Sequence, residues 1–443
     1  MGGRRSRVVV AGAGLAGASA AWELAGHGAE VLLLERDSVA GGRAGSAPDP
    51  VTGEPVDTGQ HVLMGCYSAT LRWLGEMGTR HLVKFQDRLE VSFAGDPSTT
   101  FRTRRLPAPL NLLGGIWDLP GLSFPGWLRA FRLGLAAFSP RSLDSLSVAG
   151  WADHLGIPEP VRRWVLYPLA LAAMNEHPEK ASALPLARVM RIMARRGGAW
   201  SAMGWATAGL GDLYIGPVLR RIAESGGGLR TGAEVNGVLV KDGRIAGVGL
   251  SGGEEVRADA VILAVPPWDI ARVLGGTGSC APIVDMSSRL DSSPILTVHL
   301  WLDAVVMDRV FLGLSPGLFD WIFNRSMMIG PAGRGAQHVC LVRSGARELL
   351  GRKASELVEL ALGEIRRAIP AGRTVGMVHN RVVWETKGTV SLVPGTDRLR
   401  PGFRTPLGGL FLAGGWTGTG YPDTIESAVL SGRAGAKACL AGL

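Results

Sequence analysis

The segment that most constrains the fold is a short apolar run followed by a glycine-rich turn near the amino terminus. The valines at 8–10 form the uninterrupted apolar run of a buried parallel strand, and GAGLAG follows over 12–17. This spacing predicts a helix over about 15–26, and AEVLLLE then predicts a second strand that ends on Glu35. Strand, glycine turn, helix and strand in this order are typical of a dinucleotide-binding α/β sheet.

Each glycine of the turn has its own steric reason. Gly12 allows the tight turn, Gly14 lets the backbone approach a pyrophosphate, and Gly17 lets the helix pack closely on the strand. Glu35 lies where a carboxylate accepts ribose hydroxyls, which argues against a 2′-phosphate and therefore against NADP. The cofactor-binding residues predicted in this segment are Gly12, Gly14, Leu15, Ala16, Gly17, Glu35 and Arg36.

Composition narrows the class of protein. A chain of 443 residues is long enough for two domains, and 46% hydrophobic with 19% charged residues is typical of a globular protein. The net charge of +9 comes with no nucleic-acid-binding motif, and 13 tryptophans fit an apolar ligand better, so we expect no nucleic acid partner. Four dispersed cysteines and eight histidines without metal-ligand spacing predict a cytoplasmic protein without a metal site.

Further motifs follow in the rest of the chain. GGR stands at 41–43, GGLRTGAEVNGV at 227–238, ADAVILAVPP at 258–267, and GGLFLAGGWTGTGYPDTIESAVLSGRAGAKA at 408–438. The last segment predicts a strand, a glycine loop and a helix that begins at about 423 or 424. In this order and spacing, the motifs resemble those of the FAD-dependent amine oxidase and phytoene desaturase superfamily.

The resemblance implies FAD as the cofactor. The implied fold class is α/β, with a Rossmann-type FAD-binding domain like that of glutathione reductase and an interleaved α+β substrate domain. One departure is glycine at 415, where the superfamily usually has aspartate, so one cofactor contact would be missing or made by backbone. The resemblance adds these cofactor-binding residues: Gly42, Arg43, Val235, Gly414, Gly415, Thr424 and Ile425.

A narrower resemblance covers nearly the whole chain. DTGQHVLMGCYSATLRWLG (57–75), LPAPLNLL (106–113), PILTVHLWLD (294–303) and FDWIFNR (319–325) resemble the squalene-associated desaturases, the hydroxysqualene dehydroxylases of hopanoid biosynthesis. Asn324 stands where that family tends to have aspartate, and Asp423 where it tends to have alanine. The implied reaction is reductive removal of the allylic hydroxyl of hydroxysqualene, which gives squalene.

This reaction needs an acid, because hydroxide is a poor leaving group. Reduced flavin N5 would then deliver hydride to an allylic cation in a dry, apolar pocket. His61 and Asp423 are the candidate catalytic acids, although a hydrogen-bonded structural role is an equal alternative for His61. Aromatic faces stabilise positive charge, and the candidates are Trp268, Trp301 and Trp321.

The domain organisation follows from the motif positions. We predict a discontinuous FAD-binding domain from residues 1–61, 210–275 and 376–443, and a substrate domain from 62–209 and 276–375. A mostly helical part at 105–200 has large apolar residues and arginines, which predicts a peripheral membrane contact on the inner face of the cytoplasmic membrane. An ordinary buried helical pair is the alternative for this part.

Other functions stay open at this point. The nearest is a carotenoid desaturase or isomerase of the phytoene type on the same scaffold, with hydride transferred in the opposite direction. An amine oxidase is a further alternative, as is a flavin-binding or lipid-carrying protein without turnover. The apolar composition and the narrower resemblance predict a hydrophobic isoprenoid substrate. The sequence has no second glycine motif after a strand, so we expect an external electron donor. It does not indicate an oligomeric state.

Overall fold

The computed structural model describes residues 5–95, 97–138, 140–331 and 333–443. The first four residues of the predicted FAD-binding domain, and residue 139 of the predicted helical part, therefore lie outside the described residues. The β-strands have these bounds: β1 Arg7–Ala11, β2 Glu30–Leu34, β3 Ser46–Pro48, β4 Pro55–Asp57, β5 Val62–Met64, β6 Val83–Phe85, β7 Glu90–Ala94, β8 Thr99–Arg102, β9 Met203–Ala206, β10 Gly228–Arg230, β11 Val235–Lys241, β12 Arg244–Leu250, β13 Glu255–Arg257, β14 Ala260–Leu263, β15 Ser292–Leu302, β16 Phe311–Leu314, β17 Trp321–Asn324, β18 Gln337–Ser344, β19 Met377–Val390 and β20 Leu410–Leu412.

The α-helices separate these strands and cover the sheets. They have these bounds: α1 Leu15–Gly26, α2 Ser68–Glu76, α3 Leu110–Trp117, α4 Phe124–Ala136, α5 Val148–His154, α6 Glu159–Val161, α7 Tyr167–Met174, α8 Ala183–Met193, α9 Gly216–Glu224, α10 Pro267–Leu274, α11 Ala281–Ser288, α12 Arg325–Met328, α13 Ala354–Ala368 and α14 Ile425–Leu440. Within the part of the chain that the structure describes, no helix is long and apolar enough to cross a membrane.

A parallel five-stranded sheet has the order β10-β2-β1-β14-β20 and confirms the predicted α/β fold class. Its central strand β1 is buried along Val8, Val9 and Val10, as a strand covered on both faces must be. α1 packs against α14 on this sheet. Gly432 makes the close packing possible, since a Cβ there would lie 2.1 Å from the Ala16 carbonyl oxygen.

A second, seven-stranded sheet has the order β19-β15-β18-β17-β16-β7-β8 and is mostly antiparallel. α13 packs on it and shares with it a separate hydrophobic core. The helices α3 to α8 lie in the segment for which the sequence predicts a mostly helical part. The substrate side of the molecule is thus an α+β assembly of strands and helices that are distant in sequence.

The boundary predicted at residue 376 is wrong for the strand that follows it. β19, assigned from sequence to the FAD-binding domain, pairs with β15 of the seven-stranded sheet from Ser292↔Val390 to Leu302↔Met377. β19 has 14 residues, and its backbone N–H and C=O groups need a partner strand of similar length. The 11-residue β15 is such a partner. The chain therefore returns to the parallel sheet only with β20.

Candidate functional site

A cavity of about 510 Å³ lies between the carboxyl ends of the parallel strands and one face of the seven-stranded sheet. This is where ligands bind in open α/β sheets. The walls at one end are loops of the parallel sheet, and those at the other end are apolar side chains from the second sheet and α7. Of the predicted site residues, these line the cavity: Gly12, Gly14, Leu15, Ala16, Glu35, Arg36, Gly42, Arg43, His61, Val235, Gly414, Gly415, Asp423, Thr424 and Ile425.

The three glycines of the turn differ in what surrounds them. A Cβ at Gly12 would lie 2.6 Å from the Ala264 carbonyl oxygen, and one at Gly17 would lie 1.9 Å from the Gly12 oxygen. At Gly14 a Cβ would meet nothing within 4 Å. Gly17 therefore serves helix packing outside the cavity, whereas Gly14 leaves open space at the amino end of α1. That space is a cradle for a diphosphate held by helix N–H groups.

Glu35 is held rigidly at the end of β2. Its Oε2 accepts a hydrogen bond from the backbone N–H of Ala13 at 2.8 Å, and its Oε1 accepts one from Asp37 at 3.1 Å. Each oxygen keeps a further lone pair for a ligand hydroxyl. Arg36, beside it, pairs with Asp269 at 3.0 Å.

The far end of the chain supplies a second helix amino terminus. α14 begins at Ile425, close to the predicted start, and the hydroxyl of Thr424 caps it by accepting from the Ser427 N–H. The Thr424 N–H itself donates to the Pro422 carbonyl at 2.8 Å. Of the two backbone donors predicted here, the one that belongs to the first turn of α14 is therefore that of Ile425.

Val235 and Arg43 complete the cofactor end of the cavity. The Val235 carbonyl accepts from Nη1 of Arg272 at 2.6 Å, which fixes the backbone where β11 begins. Arg43 pairs with Asp423 at 2.8 Å. Asp423, one of the two predicted catalytic acids, is thus already bound to a cation in the folded chain.

His61, the other predicted acid, also lines the cavity. Its Nδ1 must carry the proton, because it lies 2.7 Å from the Gly59 carbonyl oxygen, which can only accept. Burial lowers the pKa of His61, and the charge of Arg43 acts in the same direction, against the Gly59 hydrogen bond and the Asp57 charge. The acid role of His61 stays a prediction.

Cys66 and Tyr67, which follow His61 in the same sequence motif, are held in their protonated forms by burial. Cys66 is 3% exposed, and burial raises the pKa of its thiol to about 12. Tyr67 lines the cavity, and burial raises its pKa as well. Within the described ranges, no group of three or more His, Cys, Asp or Glu is placed to hold a metal ion.

The apolar end of the cavity was only partly foreseen. Trp321 lines this end, and Trp268 lines the cavity from α10 beside the parallel sheet. Trp301 does not line the cavity: its ring centroid lies 4.0 Å from that of His338, and its Nε1 donates to Glu54 at 2.8 Å. Sequence alternation could not separate Trp301 from Trp321, since both lie on strands, β15 and β17, of the same sheet. Among the apolar lining residues that sequence reasoning missed are Leu171, Ala172, Met203, Ile295, Phe323, Val342, Trp384 and Trp416.

The glycine cradle, the carboxylate at the end of β2 and the second helix amino terminus together define a flavoprotein site of the dinucleotide-binding type. The chain matches the model of the family described as "Flavin containing amine oxidoreductase" over residues 15–440, and it belongs to that family. It is a FAD-dependent oxidoreductase, as the sequence resemblance predicted. The cradle over Gly14, the fixed carboxylate of Glu35 and the amino end of α14 fit FAD.

The chain is also similar to individual relatives in sequence and to solved structures in fold. Hydroxysqualene dehydroxylase of Rhodopseudomonas palustris is 28% identical over 98% of both chains. The 15-cis-phytoene desaturase of Arabidopsis thaliana is 26% identical over 96% of this chain and 78% of its own. A putrescine oxidase variant has the same fold, with a TM-score of 0.75, 17% identity and 99% coverage of both chains. So does an oxidoreductase from Methanosarcina mazei, with a TM-score of 0.74, 18% identity and 97% and 99% coverage.

Proposed function

We propose that this flavoenzyme acts on a long isoprenoid and that its reaction is the reductive dehydroxylation of hydroxysqualene to squalene. The observation that carries the proposal is one continuous cavity, which runs from the cofactor loops to an apolar wall of aromatic and aliphatic side chains. Such a wall suits a hydrocarbon chain with one polar group. The similarity to hydroxysqualene dehydroxylase over 98% of both chains supports this substrate among the lipids.

One end of the cavity binds the cofactor, and the other end surrounds the hydrocarbon substrate. The amino ends of α1 and α14 and the Glu35 carboxylate hold FAD, which in its reduced form supplies the hydride. Ile295, Phe323 and Val342 exclude water from the reacting carbon, which protects a cationic centre from capture.

His61 is the residue we propose to carry the proton to the leaving hydroxyl. Its Nδ1–H is fixed on the Gly59 carbonyl, so Nε2 is the atom free to hold a second proton. Burial lowers the pKa of His61, so its protonated form gives up a proton more readily than an ordinary imidazolium. Asp423 is less suited to this step, because Oδ2 already accepts from Arg43 and from the Val390 N–H.

A single-turnover experiment tests the reaction. FAD-loaded protein is reduced without oxygen, mixed with hydroxysqualene in detergent, and the products are separated by gas chromatography and mass spectrometry. We expect squalene in an amount equal to the reduced flavin, and none from a Gly14→Ala variant that lacks bound FAD. Absence of squalene from the fully loaded, reduced protein would rule the reaction out.

A phytoene-type desaturase is the second candidate, with hydride transferred from substrate to oxidised FAD. The observation in its favour is the similarity to 15-cis-phytoene desaturases, one of which is 25% identical over 98% of this chain and 96% of its own. Oxidised FAD-loaded protein incubated with phytoene distinguishes the two functions. Conjugated products that absorb in the visible range would replace our proposal by this one.

We also propose that an external donor reduces the flavin.

A further proposal is that α3 and α4 contact anionic lipid at the inner face of the cytoplasmic membrane. Four aromatic rings form a row on these helices, with centroid separations of 5.8–6.4 Å between neighbours. Trp117 is 49% exposed and Phe124 59%, unusual for side chains of this size. Exposed apolar residues with arginines nearby are typical of a helix pair that lies in a membrane interface. The exposed apolar residues of this surface are Leu106, Leu110, Trp117, Phe124, Leu128, Phe131, Leu135 and Phe138.

Co-sedimentation with liposomes that contain anionic lipid tests this surface. The wild-type protein should pellet at low salt, and a Trp117→Ser/Phe124→Ser variant should stay largely in the supernatant. Val305→Ser is the matched control, because Val305 is 61% exposed outside the surface. Equal pelleting of all three proteins would contradict a membrane contact through α3 and α4.

A further inference from the structure

Gly415 faces the carboxylate of Asp423 at the edge of the cavity. A Cβ atom added at residue 415 would lie 2.0 Å from Oδ1 of Asp423 and 3.4 Å from its Cα. The first distance is well below a van der Waals contact, so no larger residue fits at 415 while Asp423 keeps its position. Gly415 does not have a positive φ. Glycine is needed here for space, not for backbone conformation.

The Asp423 carboxylate joins three segments of the chain. Its Oδ2 accepts hydrogen bonds from Nη1 of Arg43 at 2.8 Å and from the Val390 N–H at 3.0 Å. The same Nη1 of Arg43 donates to the Gly388 carbonyl at 2.6 Å. One ion pair therefore holds together the loop after β2, the end of β19 and the turn before α14.

Arg43 is the member of this pair that reaches the cavity. Its side chain is 36% exposed and lines the cavity, whereas that of Asp423 is 4% exposed. The pair therefore presents mainly positive charge to a ligand. Arg43 also follows Gly42, at which a Cβ would lie 3.4 Å from the Cα of Gly14. The backbone that leads into Arg43 thus passes next to the cradle at the amino end of α1, while the guanidinium lies at Asp423 and Gly388.

The electrostatics of the pair keep this cation charged. Burial acts to lower the pKa of the Arg43 guanidinium, but the charge and hydrogen bonds of Asp423 outweigh burial and raise it. Glu385 acts in the same direction as Asp423.

We propose that Asp423 is a positioning residue for the cofactor: it fixes Arg43 so that the guanidinium is preorganised for an anionic group of FAD. Gly415 is then required because the Asp423 carboxylate occupies the space beside it. Without the anchor, the long arginine side chain must be immobilised when the cofactor binds, at a cost of about tenfold in affinity. This role concerns FAD binding and does not depend on which substrate is reduced.

A double-mutant cycle over Arg43 and Asp423 tests whether the aspartate acts through the arginine. The dissociation constant of FAD is measured by flavin fluorescence quenching as apo-protein is added. Asp423→Asn keeps the shape of the side chain and should raise the constant about tenfold. In an Arg43→Met background the same change should have no further effect. An equal effect of Asp423→Asn in both backgrounds would overturn the proposal.

A second cycle tests the shared space. Gly415→Ala should weaken FAD binding in the wild-type chain, because its methyl group meets the Asp423 carboxylate. In an Asp423→Ala background the same methyl group has room, so Gly415→Ala should change the dissociation constant less than about twofold. If Gly415→Ala is equally harmful in both backgrounds, the glycine serves another purpose and the inference fails.

Asp320→Asn is the matched control for a purely structural effect. The Asp320 side chain is 6% exposed, pairs with Arg343 at 3.0 Å and accepts from the Ser344 N–H at 2.6 Å, yet Asp320 lies outside the cavity. Its substitution should leave FAD affinity unchanged. A loss of FAD affinity equal to that of Asp423→Asn would assign both effects to the fold and overturn the proposal.

Turnover at saturating FAD separates positioning from acid catalysis. If Asp423 acts through cofactor binding, the single-turnover rate of an Asp423→Asn variant with hydroxysqualene should be low at limiting FAD and should recover as the FAD concentration is raised to saturation. An inactive variant with a normal flavin spectrum would make Asp423 the proton donor and overturn the positioning role. If the wild-type chain does not turn over hydroxysqualene, the function proposed above fails, and the two binding cycles still decide this inference.

Discussion

The two ends of the cavity are built in different ways. At the cofactor end, glycines and helix amino termini place backbone groups around an open space, and Glu35 is fixed by two backbone N–H groups. At the substrate end, the surface consists of side chains such as Trp321 and Val342, from strands that neighbour one another only in the folded sheet. At the cofactor end, a Cβ atom added to a glycine should therefore lower FAD affinity or stability. In the rest of the molecule, stability should depend on side-chain charge and packing.

The largest expected effect concerns the glycine turn. Gly17→Ala places a Cβ 1.9 Å from the Gly12 carbonyl oxygen, so α1 must move away from β1 and the apo-protein should be strongly destabilised. Gly14→Ala meets no protein atom, so apo-protein stability should be unchanged while FAD affinity falls at least about tenfold. Thermal unfolding of apo-protein and FAD titration measure the two effects. Normal FAD binding by the Gly14→Ala variant would contradict the backbone description of this end.

A smaller effect is expected at a buried ion pair that does not line the cavity. Asp57, on β4, accepts from Arg325 of α12 at 2.7 Å, and both side chains are 3% exposed. Asp57→Asn leaves a buried cation without its partner, so the free energy of unfolding should fall by about 3 kcal/mol. Urea unfolding measures this. Glu254→Gln, which breaks an exposed pair with Arg230, is the control and should change little; equal losses would show that burial does not matter here.

The smallest effect is a pH dependence of stability from the second sheet. Burial lowers the pKa of His299 well below its ordinary value, and the charges of His338, Arg325 and Arg381 act in the same direction. Below the unfolded-state pKa of about 6.5, the unfolded chain binds a proton that the folded chain refuses. Stability is therefore complete above that pH and falls as the pH is lowered, by about 1 kcal/mol per pH unit.

His299→Phe removes this titration, so the variant should lose less stability than the wild-type chain between pH 6.5 and pH 5. Urea unfolding at several pH values measures the slope. His81→Phe, at an exposed histidine, is the control and should keep the wild-type slope. Parallel slopes for all three proteins would show that His299 does not carry the acid sensitivity.

The sequence predicted most accurately the helix starts beside the glycine loops of the parallel sheet. The predicted helix over about 15–26 is α1, and the helix predicted from 423 or 424 begins at Ile425. These positions follow from local rules, because a glycine turn and a helix cap are specified within a few residues. The domain predicted for β19 was wrong because the sequence of a strand shows which residues face a core and not which edge the strand pairs with.

By itself, the sequence of this protein determined the dinucleotide-binding sheet and the cofactor, and it identified most of the loop residues that line one end of the cavity. Only the tertiary structure decided that Trp321 faces the cavity while Trp301 stacks on His338, and that Asp423 pairs with Arg43 across 380 positions of the chain. The physical reason is the distance along the sequence over which each kind of interaction acts. Backbone conformation is fixed by neighbours in sequence, whereas a side-chain contact depends on elements that meet only when the sheets have assembled.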